Sequence, residues 1–68
     1  MNTAYYISIK DNEVVKQCVA FGYRKAISYV EEWATYYKGY VQKLAKYGGL
    51  IRIGDVYFSY TIEEITVV

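Results

Sequence analysis

Cys18, the adjacent acid pairs Glu31-Glu32 and Glu63-Glu64, and the glycines at 48, 49 and 54 are the residues whose types could support chemistry. A thiol can act as a nucleophile, paired carboxylates as an acid–base couple, and a glycine-rich turn as a phosphate cradle. Each lacks the neighbours it needs. The chain contains no histidine, so Cys18 has no imidazole base to make it a thiolate, and a zinc site lacks its usual nitrogen ligand. Alternation sets Cys18 on the even-numbered, non-core face of its strand, beside Tyr6 and Lys16. Acids adjacent in sequence splay apart on a helix or strand, so both glutamate pairs read as solvated positions. Gly48-Gly49 and Gly54 have neither a phosphate-loop spacing nor a following helix, and they read as a stop and a turn. The expectation is a protein that is not an enzyme and holds no cofactor or metal.

Composition bounds the rest. Sixty-eight residues make a single domain, 1–68, and 54% apolar content is far above a disordered composition. Eight basic residues against seven acidic ones leave a net charge of +1, too little to draw a polyanion from a distance. One cysteine cannot form an internal disulfide, no apolar run reaches the ~20 residues of a membrane span, and Met1-Asn2-Thr3 does not open a basic, apolar signal segment. A reduced, cytoplasmic domain with no membrane contact is expected. Residues with AT-rich codons (Tyr, Ile, Lys, Asn, Phe, Met) outnumber those with GC-rich codons (Gly, Ala, Arg, Pro) by 28 to 12, which points to an AT-rich genome. Coding bias inflates tyrosine, so the position of the ten tyrosines carries weight and their number does not.

Positioning these residues falls to two hairpins and a helix. Tyr5, Ile7 and Ile9 alternate on one face of a first strand, and Asp11-Asn12 supplies turn residues. A three-residue loop, Lys10-Asp11-Asn12, brings Val15 opposite Ile7 and keeps the odd-numbered positions of a second strand (14–21) on the core face. Gly54-Asp55 forms a two-residue turn that pairs Ile53 with Val56 and Ile51 with Phe58. The C-terminal Ile65-Thr66-Val67-Val68 either extends the last strand past a bulge at Glu63-Glu64 or forms a fifth strand. Tyr23 to Tyr47 has helical periodicity and ends at Gly48-Gly49. The expected fold is α+β, ββαββ: two antiparallel hairpins forming one sheet, packed on one face by a single long helix.

That helix divides into three sectors. Ile27, Val30, Ala34, Tyr37, Val41, Leu44 and Ala45 form a core stripe; Arg24, Ser28, Glu31, Thr35, Lys38, Gln42 and Lys46 form a solvated one. Between them lie Tyr29, Trp33, Tyr36, Tyr40 and Tyr47. These rings either widen the core or form a contact surface, with Lys43 and Glu32 as rim charges. Length favours contact: 25 helical residues run ~37 Å, whereas seven-residue strands span ~23 Å. Either two to three turns overhang the sheet, favouring a homodimer through the helix, or the helix breaks near Lys38-Gly39 and folds back.

The functional expectation is a small non-catalytic protein-binding module contacting a protein partner through Tyr29, Trp33, Tyr36, Tyr40, Lys43 and Tyr47. Small size and AT-rich coding fit an inhibitor from a phage or mobile element that occludes a host protein surface. The alternative is a nucleic-acid-binding protein using a sheet face with Tyr6, Lys10, Lys16, Arg52 and Tyr57, although no aromatic–glycine signature accompanies it.

Overall fold

A computed structural model describes the backbone of residues 2–67 and the side chains of residues 3–66. The elements run β1 (Asn2–Asp11), β2 (Glu13–Ala20), α1 (Tyr23–Tyr36), β3 (Tyr40–Ala45), β4 (Gly48–Ile53) and β5 (Val56–Val67). The five strands form one antiparallel sheet in the order β2-β1-β5-β4-β3, and α1 packs on one face. The class is α+β as expected, but the element order is ββαβββ.

The difference lies at residues 37–47. Helical periodicity continues through them, yet α1 stops at Tyr36 and 40–45 are a strand. Gly39 N–H donates to the Ala34 carbonyl (2.7 Å) and Lys38 N–H to that of Thr35 (3.0 Å), the paired bonds of a Schellman stop. The left-handed residue is Lys38 (φ 57°), where glycine is usual. Glycine is needed one position later: a Cβ on Gly39 would lie 2.7 Å from the Arg52 carbonyl oxygen and 2.8 Å from Ile53 Cγ1. The chain thus turns tightly against β4, and β3 adds to the sheet with Val41 beside Ile51. Fourteen helical residues span ~21 Å, so no helical turns overhang the sheet and the length reason for a helix-mediated dimer lapses.

The first hairpin also differs from expectation. Asn12 takes the left-handed conformation (φ 62°), as its type allows. The register, however, shifts at Ile9/Lys10: Lys10 pairs with Val14 but Ile9 pairs with Lys16, leaving Val15 as the extra residue of a bulge. Ile7 therefore faces Cys18 rather than Val15. Lys16, Cys18 and Ala20 turn toward the helix with Ile7 and Ile9, correcting the assignment of Cys18 and Lys16 to the outer face. Small residues at 18 and 20 let the helix approach, and Ala20 is buried while Val19 stays half-exposed.

The second hairpin follows the expected register, with Ile53 opposite Val56, Ile51 opposite Phe58 and Gly54 at φ 60°. β5 continues through Glu63-Glu64 without a bulge and pairs with β1 from Lys10–Ser59 to Asn2–Val67. The core comprises Ile7, Ile9, Ala20, Ile51, Tyr60 and Ile62 from the sheet and Ala26, Val30 and Ala34 from the helix. Of the expected helix stripe, Val30 and Ala34 are buried and Ile27 and Val41 pack at the margin, whereas Tyr37, Leu44 and Ala45 are exposed.

Candidate functional site

The six residues expected to meet a partner fall into three places. Tyr29, Trp33 and Tyr36 line the flank of α1 that faces β2. Trp33 is half-buried: its ring stands edge-on to Phe58 (centroids 5.3 Å apart) and tilts against Tyr37 (4.9 Å). Tyr29 and Tyr36 project further, 41% and 80% exposed, so the rings divide between an anchor and two free faces.

The other three do not join them, because the helix ends first. Tyr40 lies on β3 beside Arg52 and is exposed on the sheet face away from the helix. Tyr47 sits in the β3–β4 turn, its ring edge-on to Tyr23 (5.9 Å) and its hydroxyl donating to Glu64 Oε2 (3.2 Å). Lys46 Nζ lies 5.6 Å from the Tyr23 ring centroid and 5.2 Å from that of Tyr47, and the Tyr23 hydroxyl donates to the Lys46 carbonyl. This cluster ties the turn to the start of α1. Lys43 points to the helix side of β3 and pairs with Glu31 (3.6 Å), across α1 from the three rings.

Between α1 and β2 runs a groove of about 450 Å³. Tyr29, Glu32, Trp33 and Tyr36 form its wall, and Ile7, Ile9, Lys16 and Cys18 form its floor. β2 is the outermost strand, so the floor ends at a free edge. Burial pushes the Cys18 thiol up and the Lys16 ammonium offsets part of that rise, which leaves the thiol protonated near neutral pH. Among the described residues the one ion pair is Glu31–Lys43, so Lys16 and Glu32 face the groove without a salt-bridge partner. Sequence reasoning missed Lys16 and Cys18 as floor residues. The signal that could have found them is the small–small spacing of Cys18 and Ala20, which marks the helix-covered face.

The opposite sheet face is open. The pairing sets Tyr40, Arg52 and Tyr57 in a row across β3, β4 and β5. The Arg52 guanidinium lies 5.8 Å from the Tyr57 ring centroid, and its Nε donates to the Gly54 carbonyl (2.9 Å). Tyr6 and Lys10 share this face, but Lys16 does not. Among the described residues no group of three or more His, Cys, Asp or Glu side chains converges, and no helix is long and apolar enough to cross a membrane. No protein-family model, curated protein or solved structure matches this chain.

Proposed function

We propose that this chain is a non-catalytic protein-binding module whose contact surface is the α1–β2 groove, with Tyr29 and Tyr36 as free rings and Trp33 as the fixed wall between them. The observation that carries this reading is the exposure of Tyr36 (80%) and Tyr29 (41%), two turns apart on the same helix face along an apolar groove. Large aromatic rings at a surface lose little entropy on binding and are enriched among contact hot spots. The total accessible surface, 4948 Å², also exceeds the ~4400 Å² typical of a monomer of this mass. A module of this kind acts by occupying its partner. An inhibitor encoded by a phage or mobile element suits the small size and AT-rich coding.

The test is affinity capture from the source cell, followed by titration of the captured protein in purified form. Replacing Tyr29 and Tyr36 together with Ala should weaken that complex at least tenfold while circular dichroism stays unchanged. Full retention of binding by the double variant removes the reading.

The row Tyr40–Arg52–Tyr57 favours a second reading, single-stranded nucleic acid on the open sheet face, where rings would stack bases. A net charge of +1 supplies little phosphate attraction. Binding of an oligonucleotide at low salt that falls steeply with added salt would support it; no binding at low salt would end it.

A further inference from the structure

We propose that the groove takes an extended protein segment that adds to β2 as a sixth strand, placing a large apolar side chain over Cys18 and an acidic one beside Lys16. This rests on the protein-binding reading above and specifies the partner's chemistry.

Two features converge at one edge. The outward main-chain groups of β2 have no strand partner, because β2 ends the sheet order. Directly inside that edge lies the apolar groove, its floor formed by Lys16 and Cys18 of the same strand and Ile7 and Ile9 of β1. A strand added ~4.8 Å outside β2 would extend the groove floor on the side bordered by the exposed rings Tyr29 and Tyr36. Main-chain pairing would then supply affinity, and alternate side chains entering the groove would supply selectivity.

The floor dictates which side chains fit. Cys18 is small, and the rings of Tyr29, Trp33 and Tyr36 stand over the floor, so the residue opposite Cys18 is large and apolar. Two positions along, Lys16 has no ion-pair partner among the described residues. A carboxylate on the added strand would meet it at the same sheet level, ~5 Å away between Cβ atoms. Glu32 opposes that carboxylate from the helix, a layer of ~10 Å above the sheet, so Lys16 sets the preference and Glu32 weakens it. In antiparallel pairing, the orientation used throughout this sheet, the segment reads apolar–any–acidic.

A second copy of the chain meets these requirements poorly. Its β2 carries one acid, Glu13, and the register that sets Glu13 against Lys16 overlaps only residues 13–16 and leaves the floor at Cys18 uncovered. The other free edge, β3, borders a polar cleft spanned by the Glu31–Lys43 pair.

Trp33 is the chain's one tryptophan and stands in the groove wall, so its emission reports occupancy. Capped, tryptophan-free octapeptides with Leu-Thr-Glu or Leu-Thr-Lys at their centre are titrated to millimolar concentration. The Leu-Thr-Glu peptide should shift Trp33 emission saturably, slow alkylation of Cys18, and bind at least tenfold tighter than its Leu-Thr-Lys counterpart. Lys16→Glu should reverse that order, Glu32→Gln should strengthen it, and N-methylation of alternate peptide amides on the paired side should abolish binding. Absence of any saturable shift overturns the proposal, as does unimpaired binding of the N-methylated peptide. So does a solution dimer that Lys16→Glu dissolves. If the peptides fail while Tyr29→Ala/Tyr36→Ala still loses a captured protein, strand addition falls and the protein-binding reading stands; if both fail, both fall.

Discussion

The rings of Trp33 and Phe58 meet edge to face, centroids 5.3 Å apart and planes at 76°. This contact joins the last turn of α1 to β5 and makes Trp33 both part of the packed interior and part of the groove wall. Its two roles separate by substitution. Trp33→Ala removes a half-buried ring together with its contacts to Phe58 and Tyr37, and should cost about 2–3 kcal/mol in denaturant unfolding. Tyr36→Ala, at an 80% exposed position, should change stability by less than ~0.5 kcal/mol. Equal losses for both variants would show that Tyr36 is core as well.

Gly39 stands where α1 turns into β3. A Cβ there would press on the Arg52 carbonyl and Ile53 Cγ1, and the backbone carbonyl cannot rotate away. Gly39→Ala should therefore destabilise the fold by about 2–3 kcal/mol. Lys38→Gly should do the reverse, by about 1 kcal/mol, because Lys38 occupies the left-handed region at φ 57°. Thermal melts of both variants check the pair. Stabilisation by Gly39→Ala would mean that residues 37–47 stay helical.

Tyr60 is buried, and its hydroxyl has no hydrogen-bond partner among the described residues. An unmade bond of this kind costs about 1–3 kcal/mol. Tyr60→Phe should accordingly raise stability by about 1 kcal/mol, a rise of roughly 4–8 °C in melting temperature for a domain this small.

The same tyrosine sets an alkaline limit. Burial first, then the neighbouring Tyr23 phenol and the Glu31 carboxylate, hold its hydroxyl above the ordinary tyrosine range. A raised value in the folded state leaves its contribution intact below the unfolded tyrosine value of about 10. Above that, the unfolded chain loses a proton that the folded chain retains, and stability falls as pH rises toward the folded value. Urea unfolding between pH 9 and 11 should show this decline, and Tyr60→Phe should flatten it.

Cys18 should react slowly with iodoacetamide at neutral pH and faster as pH climbs past the ordinary thiol range, because burial outweighs the pull of Lys16. Lys16→Gln removes that pull, so labelling at a given pH should slow further. A rate that is already maximal at pH 7 would mean an activated thiolate.

What alternation could reveal, it revealed. Ile51, Ile53, Val56 and Phe58 flank a glycine turn too short to permit a second register, so the β4–β5 hairpin was readable directly. The Val30–Ala34 stripe was equally plain, since apolar residues four apart can share only one helix face. The strand β3 was hidden because Tyr40, Val41, Leu44 and Tyr47 satisfy helical spacing, whereas the strand buries only Val41 in part and breaks register after Lys43. A six-residue segment of this kind shows no strand alternation to set against the helical pattern. The β2 bulge was hidden for a related reason. Val14, Val15 and Val19 make either face look apolar, and only the small size of Cys18 and Ala20 tells which side a helix can cover.

The sequence by itself determined the class, the second hairpin, the Val30–Ala34 part of the core stripe and the absence of histidine. These depend on local spacing and on residue types that are present or absent. Only the tertiary structure decided where the aromatic residues go. Gly39 packs against Arg52 and Ile53 across the sheet, a contact between residues far apart in the chain, and that contact ends the helix. The stripe read along one helix is thereby divided: Tyr29, Trp33 and Tyr36 remain at the α1–β2 groove, Tyr40 moves to the open sheet face, and Tyr47 closes a turn over Tyr23.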